Sequence, residues 1–121
     1  MQKILIAEDD RFLAAAYNAK LNKAGYETMI ASDGDHALEI LKNFTPDLIL
    51  LDLIMPNKNG FIVLENISKD PILSKIPIFV LTNLSQKEDE DRARQLGAKE
   101  FIVKTTIDPK GLLEKINQFL S

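Results

Sequence analysis

The chain has 121 residues, of which 45% are hydrophobic and 27% charged, as is typical of one globular domain rather than a disordered or fibrous chain. Its 15 Lys and Arg against 18 Asp and Glu give a net charge of −3. Because no basic block is present, we expect no direct nucleic-acid binding. Cysteine is absent, which excludes disulfides, thiolate metal sites and thiol nucleophiles.

The amino-terminal residues and the apolar runs predict neither a signal peptide nor a membrane span. Only four apolar residues separate Lys3 from Glu8, too few for the hydrophobic region of a signal peptide. The apolar runs 48–51 and 76–81 have the length of strands, whereas a membrane-spanning helix needs about 20 apolar residues. Together with the absence of cysteine, these features lead us to expect a cytoplasmic protein with no membrane partner.

Apolar runs rich in β-branched residues alternate five times with segments whose apolar residues recur every three or four positions. This alternation predicts βα units, and therefore an α/β fold with a parallel sheet. Right-handed crossovers would place helices on both faces of the sheet, which gives a doubly wound, three-layer (βα)5 sandwich. The predicted strands are Lys3–Ala7, Glu27–Ala31, 47–51, 77–82 and Glu100–Val103, and the predicted helices are 10–24, 34–44, 60–69, 86–96 and 108–120.

Local signals mark several of these boundaries. Gly25 and Gly97 follow the first and fourth helices, where a left-handed residue is favoured. Asp108 and Pro109 are typical of an N-cap and a first helical residue. The continuous apolar runs should be buried on both faces, whereas the more polar second strand suits an edge; these runs are 4–7, 48–51, 78–81 and 101–103.

Polar residues stand where the four apolar strands end. Glu8 and Asp9 follow the first strand and Asp52 the third, while Thr82 ends the fourth and Lys104 follows the fifth. The carboxyl ends of parallel strands lie along one edge of a sheet, where ligand sites form. We therefore expect a carboxylate cluster at this edge, with one hydroxyl and one ammonium group nearby.

The three carboxylates of Glu8, Asp9 and Asp52 would repel one another unless a cation lay among them. A small set of oxygen ligands suits Mg²⁺, which keeps several waters and completes its shell with phosphate oxygens. The first βα turn is acidic and has no glycine-rich phosphate loop, which argues against a nucleotide-binding enzyme or a flavodoxin. The cluster therefore favours magnesium-dependent phosphoryl chemistry.

The order and spacing of these residues resemble a known family over essentially all 121 residues. The residues that carry the resemblance are Glu8, Asp9, Asp52 with the following segment 53–56, Gly60, Thr82, Phe101 and Lys104. The sequence resembles the receiver domain of two-component response regulators. This resemblance implies one receiver domain over residues 1–121, with the flavodoxin-like strand order 2-1-3-4-5 known for chemotaxis receivers.

The resemblance also implies how a phosphoryl group is taken up. Asp52 would accept it from the phosphohistidine of a sensor histidine kinase or a histidine phosphotransfer protein. Asp9, Asp52 and the backbone carbonyl of Ile54 would bind Mg²⁺, with Glu8 acting through a metal-bound water. Lys104 would stabilise charge on the transferred group. The chain would then be a signalling phospho-acceptor and not an enzyme.

The family's switch is implied in the same way. Thr82 would move towards the phosphoryl oxygens, and the aromatic residue Phe101 would turn inward into the space left. Because Phe101 lacks a hydroxyl group, packing alone would transmit this change. The face formed by the fourth helix, fifth strand and fifth helix would signal to a downstream effector protein or domain. A dimer through the fourth helix is also compatible with the family.

Three features depart from the family pattern. Thr105 replaces a proline that usually follows a cis peptide, and a non-proline cis bond costs about 3–4 kcal/mol, so we predict a trans Lys104–Thr105 peptide. Asn83 stands where the family has Ala or Gly and would hinder small phosphoryl donors. Ile54 and Leu84 flank the position of the attacking water, which they cannot hydrogen-bond. We therefore expect a long-lived phosphorylated state.

Two alternatives remain at this point. A phosphatase resembling the haloacid dehalogenases also uses an Asp nucleophile, but it needs a second Asp where this chain has Ile54. A pseudo-receiver that only binds partners is disfavoured by the complete set of site residues, although Asn83 and Thr105 leave it open. Outside the site, we expect His36 on the surface and Met55 in packing contacts.

Overall fold

Five parallel strands form one sheet in the order β2-β1-β3-β4-β5. The strands are β1 (Lys3–Ala7), β2 (Glu27–Ala31), β3 (Leu48–Leu51), β4 (Ile78–Thr82) and β5 (Glu100–Val103). The computed structural model describes all 121 residues. Its helices are α1 (Arg11–Lys23), α2 (Gly34–Ile40), α3 (Gly60–Lys69), α4 (Lys87–Gln95) and α5 (Pro109–Leu120), with 3-10 turns at Leu73–Lys75 and Lys104–Thr106. The predicted α/β fold and the strand order are confirmed.

The helices cover the sheet on both faces, as the predicted three-layer sandwich requires. On one face, β1 and β3 contribute Leu5 and Leu51 to a core cluster that includes residues of α2, α3 and α4. On the other face, Ile4 belongs to a second cluster with Tyr17 of α1 and Ile116 of α5. Neighbouring residues of a strand thus enter opposite clusters, because side chains alternate across a sheet. None of the helices is both long and apolar enough to cross a bilayer.

Short polar side chains start most of the helices. The Asp10 side chain accepts the Phe12 and Leu13 N–H groups at 3.0 and 3.1 Å at the start of α1. The Asp108 side chain accepts the Gly111 N–H at 2.7 Å, with a proline in the first turn of α5, which confirms the predicted start. These caps satisfy backbone donors that have no partner within the helix.

The ends of several elements differ from the prediction. Helix α2 ends at Ile40 instead of residue 44. Beyond it, the Lys42 N–H donates to Glu39 and the Asn43 N–H to Ile40, so the chain tightens into a turn with i−3 bonds. Strands β3 and β4 each begin one residue later than predicted. At β4 the reason is that Pro77 has no N–H for the ladder.

Strand β5 is less buried than its apolar sequence predicted. Only Ile102 is buried, whereas Phe101 and Val103 are partly exposed. The prediction that this run is buried on both faces was wrong because β5 pairs with β4 alone and forms one edge of the sheet. Strand β2 forms the other edge, as predicted. Gly25 and Gly97 have φ values of 97° and 106° and so confirm the left-handed positions predicted after two helices.

Candidate functional site

The carboxyl ends of β1 and β3 bring the three predicted carboxylates together. One carboxylate oxygen from each of Glu8, Asp9 and Asp52 lies within 4.8 Å of the other two. Glu8 and Asp52 are each 4% exposed, whereas Asp9 is exposed. Because β1 and β3 are adjacent parallel strands, the residues that follow their carboxyl ends lie side by side. The site therefore has two buried carboxylates and one that faces solvent.

Lys104 lies opposite the two buried carboxylates. Its Nζ is 2.6 Å from Oδ2 of Asp52 and 2.6 Å from Oε1 of Glu8, and its side chain is 9% exposed. The residue opens the 3-10 turn that follows β5. No cis peptide bond is present, so the predicted trans Lys104–Thr105 peptide is confirmed. Lys104 thus reaches Asp52 with a threonine, and not a proline, as the next residue.

Burial and charge shift the pKa values of two groups here. Burial raises the pKa of Glu8, and the charge of Asp52 raises it further, against opposing hydrogen bonds from Lys104 and the Asp10 N–H. Burial alone would lower the pKa of Lys104, but hydrogen bonds and charges from Asp52 and Glu8 raise it above its ordinary value. The shift of Glu8 therefore reflects burial first and the neighbouring charge of Asp52 second, and that of Lys104 reflects its two carboxylate partners.

The donor set fits a hard divalent cation. All three side chains offer carboxylate oxygens, which are ligands that Mg²⁺ prefers over nitrogen or sulfur donors. The loop after β3 also lies close to these ligands, because the Ile54 N–H donates to Oδ1 of Asp52 at 3.0 Å. Ile54 itself is 51% exposed. Its backbone is therefore adjacent to the carboxylate cluster while its side chain faces solvent.

The remaining predicted residues lie at the ends of β4 and β5. Thr82 is fully buried, and its hydroxyl accepts the Leu84 N–H at 3.4 Å. Asn83 is exposed, and Leu84 packs in part against the core. Phe101 lies on the strand next to Thr82 and also packs against that core. The hydroxyl of Thr82 is thus engaged within its own loop and not with Asp52.

Two residues near the site were not assigned by sequence reasoning. Asp10 is the third acid of its run, but its side chain caps α1 while its N–H donates to Oε2 of Glu8 at 3.0 Å. Tyr17 lines a small cavity together with Glu8 and Asp52. Burial and the charge of Glu8 raise the pKa of Tyr17. In the sequence, Tyr17 is only one of the apolar positions of α1. That helical pattern does not show that its side chain lies next to Glu8 and Asp52.

Two side chains outside the site behave as the sequence predicted. His36 is exposed, and its Nδ1 accepts the Ser32 N–H at 3.3 Å. Met55 is 7% exposed and belongs to the core cluster beneath α2 and α3. Neither residue lies among the carboxylates that could bind a metal ion.

Comparison with known proteins gives the same family throughout. A sequence model of the response regulator receiver domain matches residues 4–117. Protein PilH of Pseudomonas aeruginosa is 31% identical over 121 residues, which cover all of this chain and 99% of PilH. The probable transcriptional regulator ycf27 of Porphyridium aerugineum is 36% identical over 98% of this chain. That match covers 48% of ycf27, so this chain spans about half the length of such relatives.

Solved structures agree with the sequence matches. The chemotaxis response regulator CheY4 of Vibrio cholerae superposes with a TM-score of 0.89 at 28% identity, covering 98% of each chain. A CheY-like response regulator receiver domain protein from Methanospirillum hungatei gives a TM-score of 0.88 at 27% identity, covering 99% of this chain and 94% of its own. Sequence and fold therefore lead to one conclusion: the chain belongs to the response regulator receiver domain family.

Proposed function

We propose that Asp52 is the phospho-acceptor of this receiver domain. A carboxylate oxygen of Asp52 would attack the phosphorus of a phosphohistidine, so that an O–P bond forms while the N–P bond breaks and the freed imidazole takes up a proton. The donor would be a sensor histidine kinase or a histidine phosphotransfer protein. The observation that carries this proposal is that buried Asp52 lies 2.6 Å from the ammonium group of Lys104 and within 4.8 Å of two further carboxylates.

The surrounding residues would assist the transfer in different ways. Lys104 would keep its ammonium group beside the incoming phosphoryl oxygens, where negative charge spreads in the transition state. Asp9, Asp52 and the Ile54 carbonyl would bind Mg²⁺, with Glu8 contributing through water. Bound Mg²⁺ would supply the positive charge that neutralises the phosphoryl oxygens. The three carboxylate oxygens within 4.8 Å of one another support this assignment.

The output of the domain would pass through β4 and β5. Thr82 would leave its contact with the Leu84 N–H to donate its hydroxyl to the phosphoryl group, and Phe101 would follow into the vacated space. Phosphorylation would replace the single carboxylate charge of Asp52 with a phosphoryl group of about −1.5 to −2 charge and its strong acceptor oxygens, enough to bias such a two-state element. The face formed by α4, β5 and α5 would present the change to an effector protein or domain. Phe101 is partly exposed and packs against the core cluster, on the strand next to Thr82.

A protein donor would dock at the carboxyl edge of the sheet. Phe12 is 90% exposed in the first turn of α1, and Ile54 is 51% exposed beside Asp52. Large apolar side chains exposed around a reactive group are typical of interaction surfaces.

We further propose that residues 1–121 act as one cytoplasmic receiver module, a phospho-acceptor and not an enzyme. In this role it would contact neither nucleic acid nor a membrane.

Mass spectrometry of the intact protein tests the phospho-acceptor assignment. The protein is incubated with a small phosphoryl donor and MgCl₂, in parallel with Asp52→Asn and with a sample containing EDTA. We expect a gain of one phosphoryl group that requires both Asp52 and the metal. If the protein gains none, the assay is repeated with Asn83→Ala, which opens access for small donors, and with a phosphohistidine protein. No gain in any arm would overturn the proposal and favour a pseudo-receiver.

A further inference from the structure

The loop that follows Asp52 is fastened to the start of α2. The side-chain amide of Asn57 donates to Oδ2 of Asp33 at 2.9 Å. The next residue, Lys58, pairs with Asp35 at 2.7 Å. Asn57 and Asp33 are 24 positions apart in the sequence. These contacts link loop 53–59 to a helix that carries none of the predicted site residues.

Close packing accompanies these polar contacts. A Cβ atom at Gly34 would lie 1.8 Å from the carbonyl oxygen of Lys58, so only glycine permits this approach. Asn57 has a φ of 65°, a left-handed conformation that asparagine adopts more readily than most residues. The path of the loop is therefore constrained at Asn57 and Lys58 by both backbone conformation and contact with α2.

The other end of the loop contacts Asp52 directly. The Ile54 N–H donates to Oδ1 of Asp52 at 3.0 Å, and the Gly60 N–H donates to the Leu53 carbonyl at 3.0 Å. A Cβ atom at Gly60 would lie 2.3 Å from the Asp52 carbonyl oxygen. Because the loop is held at both ends, a displacement at Asn57 would be transmitted over three residues to the Ile54 backbone.

Asp33 uses both of its carboxylate oxygens at this junction. Oδ1 accepts the His36 N–H at 2.8 Å and caps α2, while Oδ2 accepts the Asn57 amide. The hydrogen bond from the His36 N–H holds the pKa of Asp33 below its ordinary value, and the Asn57 amide lowers it further. The acceptor is therefore ionised at neutral pH, which strengthens both hydrogen bonds.

We propose that the Asp33–Asn57 hydrogen bond positions the phospho-acceptor site. It holds loop 53–59 so that the Ile54 backbone orients the Asp52 carboxylate. Asp33 and Asn57 lie outside the set of carboxylates that could bind a metal ion, so they act only as positioning residues. This inference rests on the proposed function and extends it to a contact outside the carboxylate cluster. Contacts that orient metal ligands typically change metal affinity by about 10–100-fold when they are lost.

The variant Asn57→Asp tests this contact. Aspartate keeps the size of the side chain and tolerates a left-handed conformation, but it replaces the amide donor with a carboxylate that faces Asp33. We expect the Kd for Mg²⁺, measured by calorimetric titration with MgCl₂, to rise about 10-fold. The added negative charge would by itself tighten Mg²⁺ binding, so weaker binding reports a change of geometry. In metal-free protein, we expect the Ile54 amide hydrogen to exchange several-fold faster.

A double variant provides the rescue. Asp33→Asn combined with Asn57→Asp exchanges donor and acceptor, and asparagine still caps α2. We expect both Mg²⁺ affinity and Ile54 exchange to return close to the values of the unmodified protein. Asn66→Asp adds the same charge at an exposed position of α3 and should change neither quantity. Circular dichroism confirms that each variant is folded.

The outcomes separate this inference from the function on which it rests. If Asn57→Asp binds Mg²⁺ and protects Ile54 as the unmodified protein does, or if the double variant does not recover, the positioning role is overturned. If the unmodified protein does not bind Mg²⁺, the proposed function fails. In that case, Ile54 exchange in metal-free protein still decides whether Asn57 holds the loop.

Discussion

The ammonium nitrogen of Lys104 lies 2.6 Å from Oδ2 of Asp52, across 52 positions of sequence. The same nitrogen lies 2.6 Å from Glu8, and all three side chains are almost fully buried. A buried charge without a partner is far more costly than an exposed one. We therefore expect the loss of the Lys104 charge to destabilise the metal-free protein, apart from the part of Lys104 in the proposed phosphoryl transfer.

Replacing Lys104 should destabilise the metal-free protein. Lys104→Met leaves two buried carboxylates without a cation, and the expected loss is about 3–5 kcal/mol in the free energy of unfolding. Urea denaturation at neutral pH in EDTA measures this loss. Saturating MgCl₂ should reduce it, because the bound cation would replace the missing positive charge.

The matched control for this substitution is Lys115→Met. Lys115 lies 3.6 Å from Glu100 in an ion pair whose side chains are 46% and 40% exposed. Exposed pairs of this kind contribute about 0–1 kcal/mol. Equal losses of stability in the Lys104 and Lys115 variants would contradict the role given to the buried ion pair.

The stability of the metal-free protein should fall as pH rises through the weakly acidic range. The pKa of Glu8 is raised in the folded protein above its ordinary value of 4.5, so the native state binds the proton more tightly than the unfolded chain. The stabilisation linked to this proton is present at low pH and is lost as pH rises through the native pKa. Lys104, whose pKa is also raised, loses its contribution only in the alkaline range.

The urea concentration at the midpoint of unfolding, measured in EDTA between about pH 5 and 8, reports this dependence of stability on pH. Glu8→Gln removes the titrating group, so its midpoint should change less with pH over the same range. A dependence in Glu8→Gln that is as steep as in the unmodified protein, or steeper, would show that another group is responsible.

The phosphorylated state should be long-lived, and polar residues at two positions should shorten its lifetime. Ile54 and Leu84 offer no hydrogen bond to an attacking water, whereas Ile54→Asn or Leu84→Glu would supply one. We expect each substitution to speed hydrolysis on the order of tenfold. Decay of the phosphoprotein mass over time measures the rate. The control Ile62→Asn replaces another partly exposed isoleucine and should leave the hydrolysis rate unchanged. Equal hydrolysis rates in all three variants would contradict the role of Ile54 and Leu84.

Adding a methyl group beside Asp52 should impair both stability and phosphorylation. In Gly60→Ala the new Cβ would meet the Asp52 carbonyl oxygen, a backbone atom, at 2.3 Å, and such overpacking costs about 1–3 kcal/mol. Gly111→Ala places its Cβ 3.1 Å from the side chains of Asp108 and Ile107, which can adjust, so its cost should be below about 1 kcal/mol. Urea denaturation and phosphorylation rates of both variants provide the comparison.

The exposed aromatic side chain at the start of α1 should affect the rate of phosphoryl transfer from protein donors only. Phe12→Ala is expected to slow transfer from a phosphohistidine protein by about tenfold or more without changing the rate with a small donor. Ile72 is 73% exposed and precedes β4, at the end of the sheet where the strands begin. This end lies opposite the carboxyl ends that carry Asp52. Ile72→Ala should therefore leave both rates unchanged. A slower reaction of Phe12→Ala with the small donor would place Phe12 in the chemistry and not in docking.

The fold and the members of the carboxylate cluster were predictable because they depend on local patterns. Apolar periodicity located the five strands, and the polar residues at their ends had to share one edge once the strands were parallel. Glu8, Asp9 and Asp52 could therefore be grouped from the sequence. The strand order and the roles of Thr82 and Phe101 came from the family resemblance.

The tertiary structure decided what local patterns do not encode. The apolar sequence of β5 suggested burial on both faces, but its burial depends on how many strands flank it. Likewise, only the packed structure shows that Lys104 contacts both Glu8 and Asp52, or that Asn57 reaches Asp33. These contacts join residues far apart in the chain, and their geometry follows from how β1, β3, β5 and α2 pack and not from the propensities of neighbouring residues.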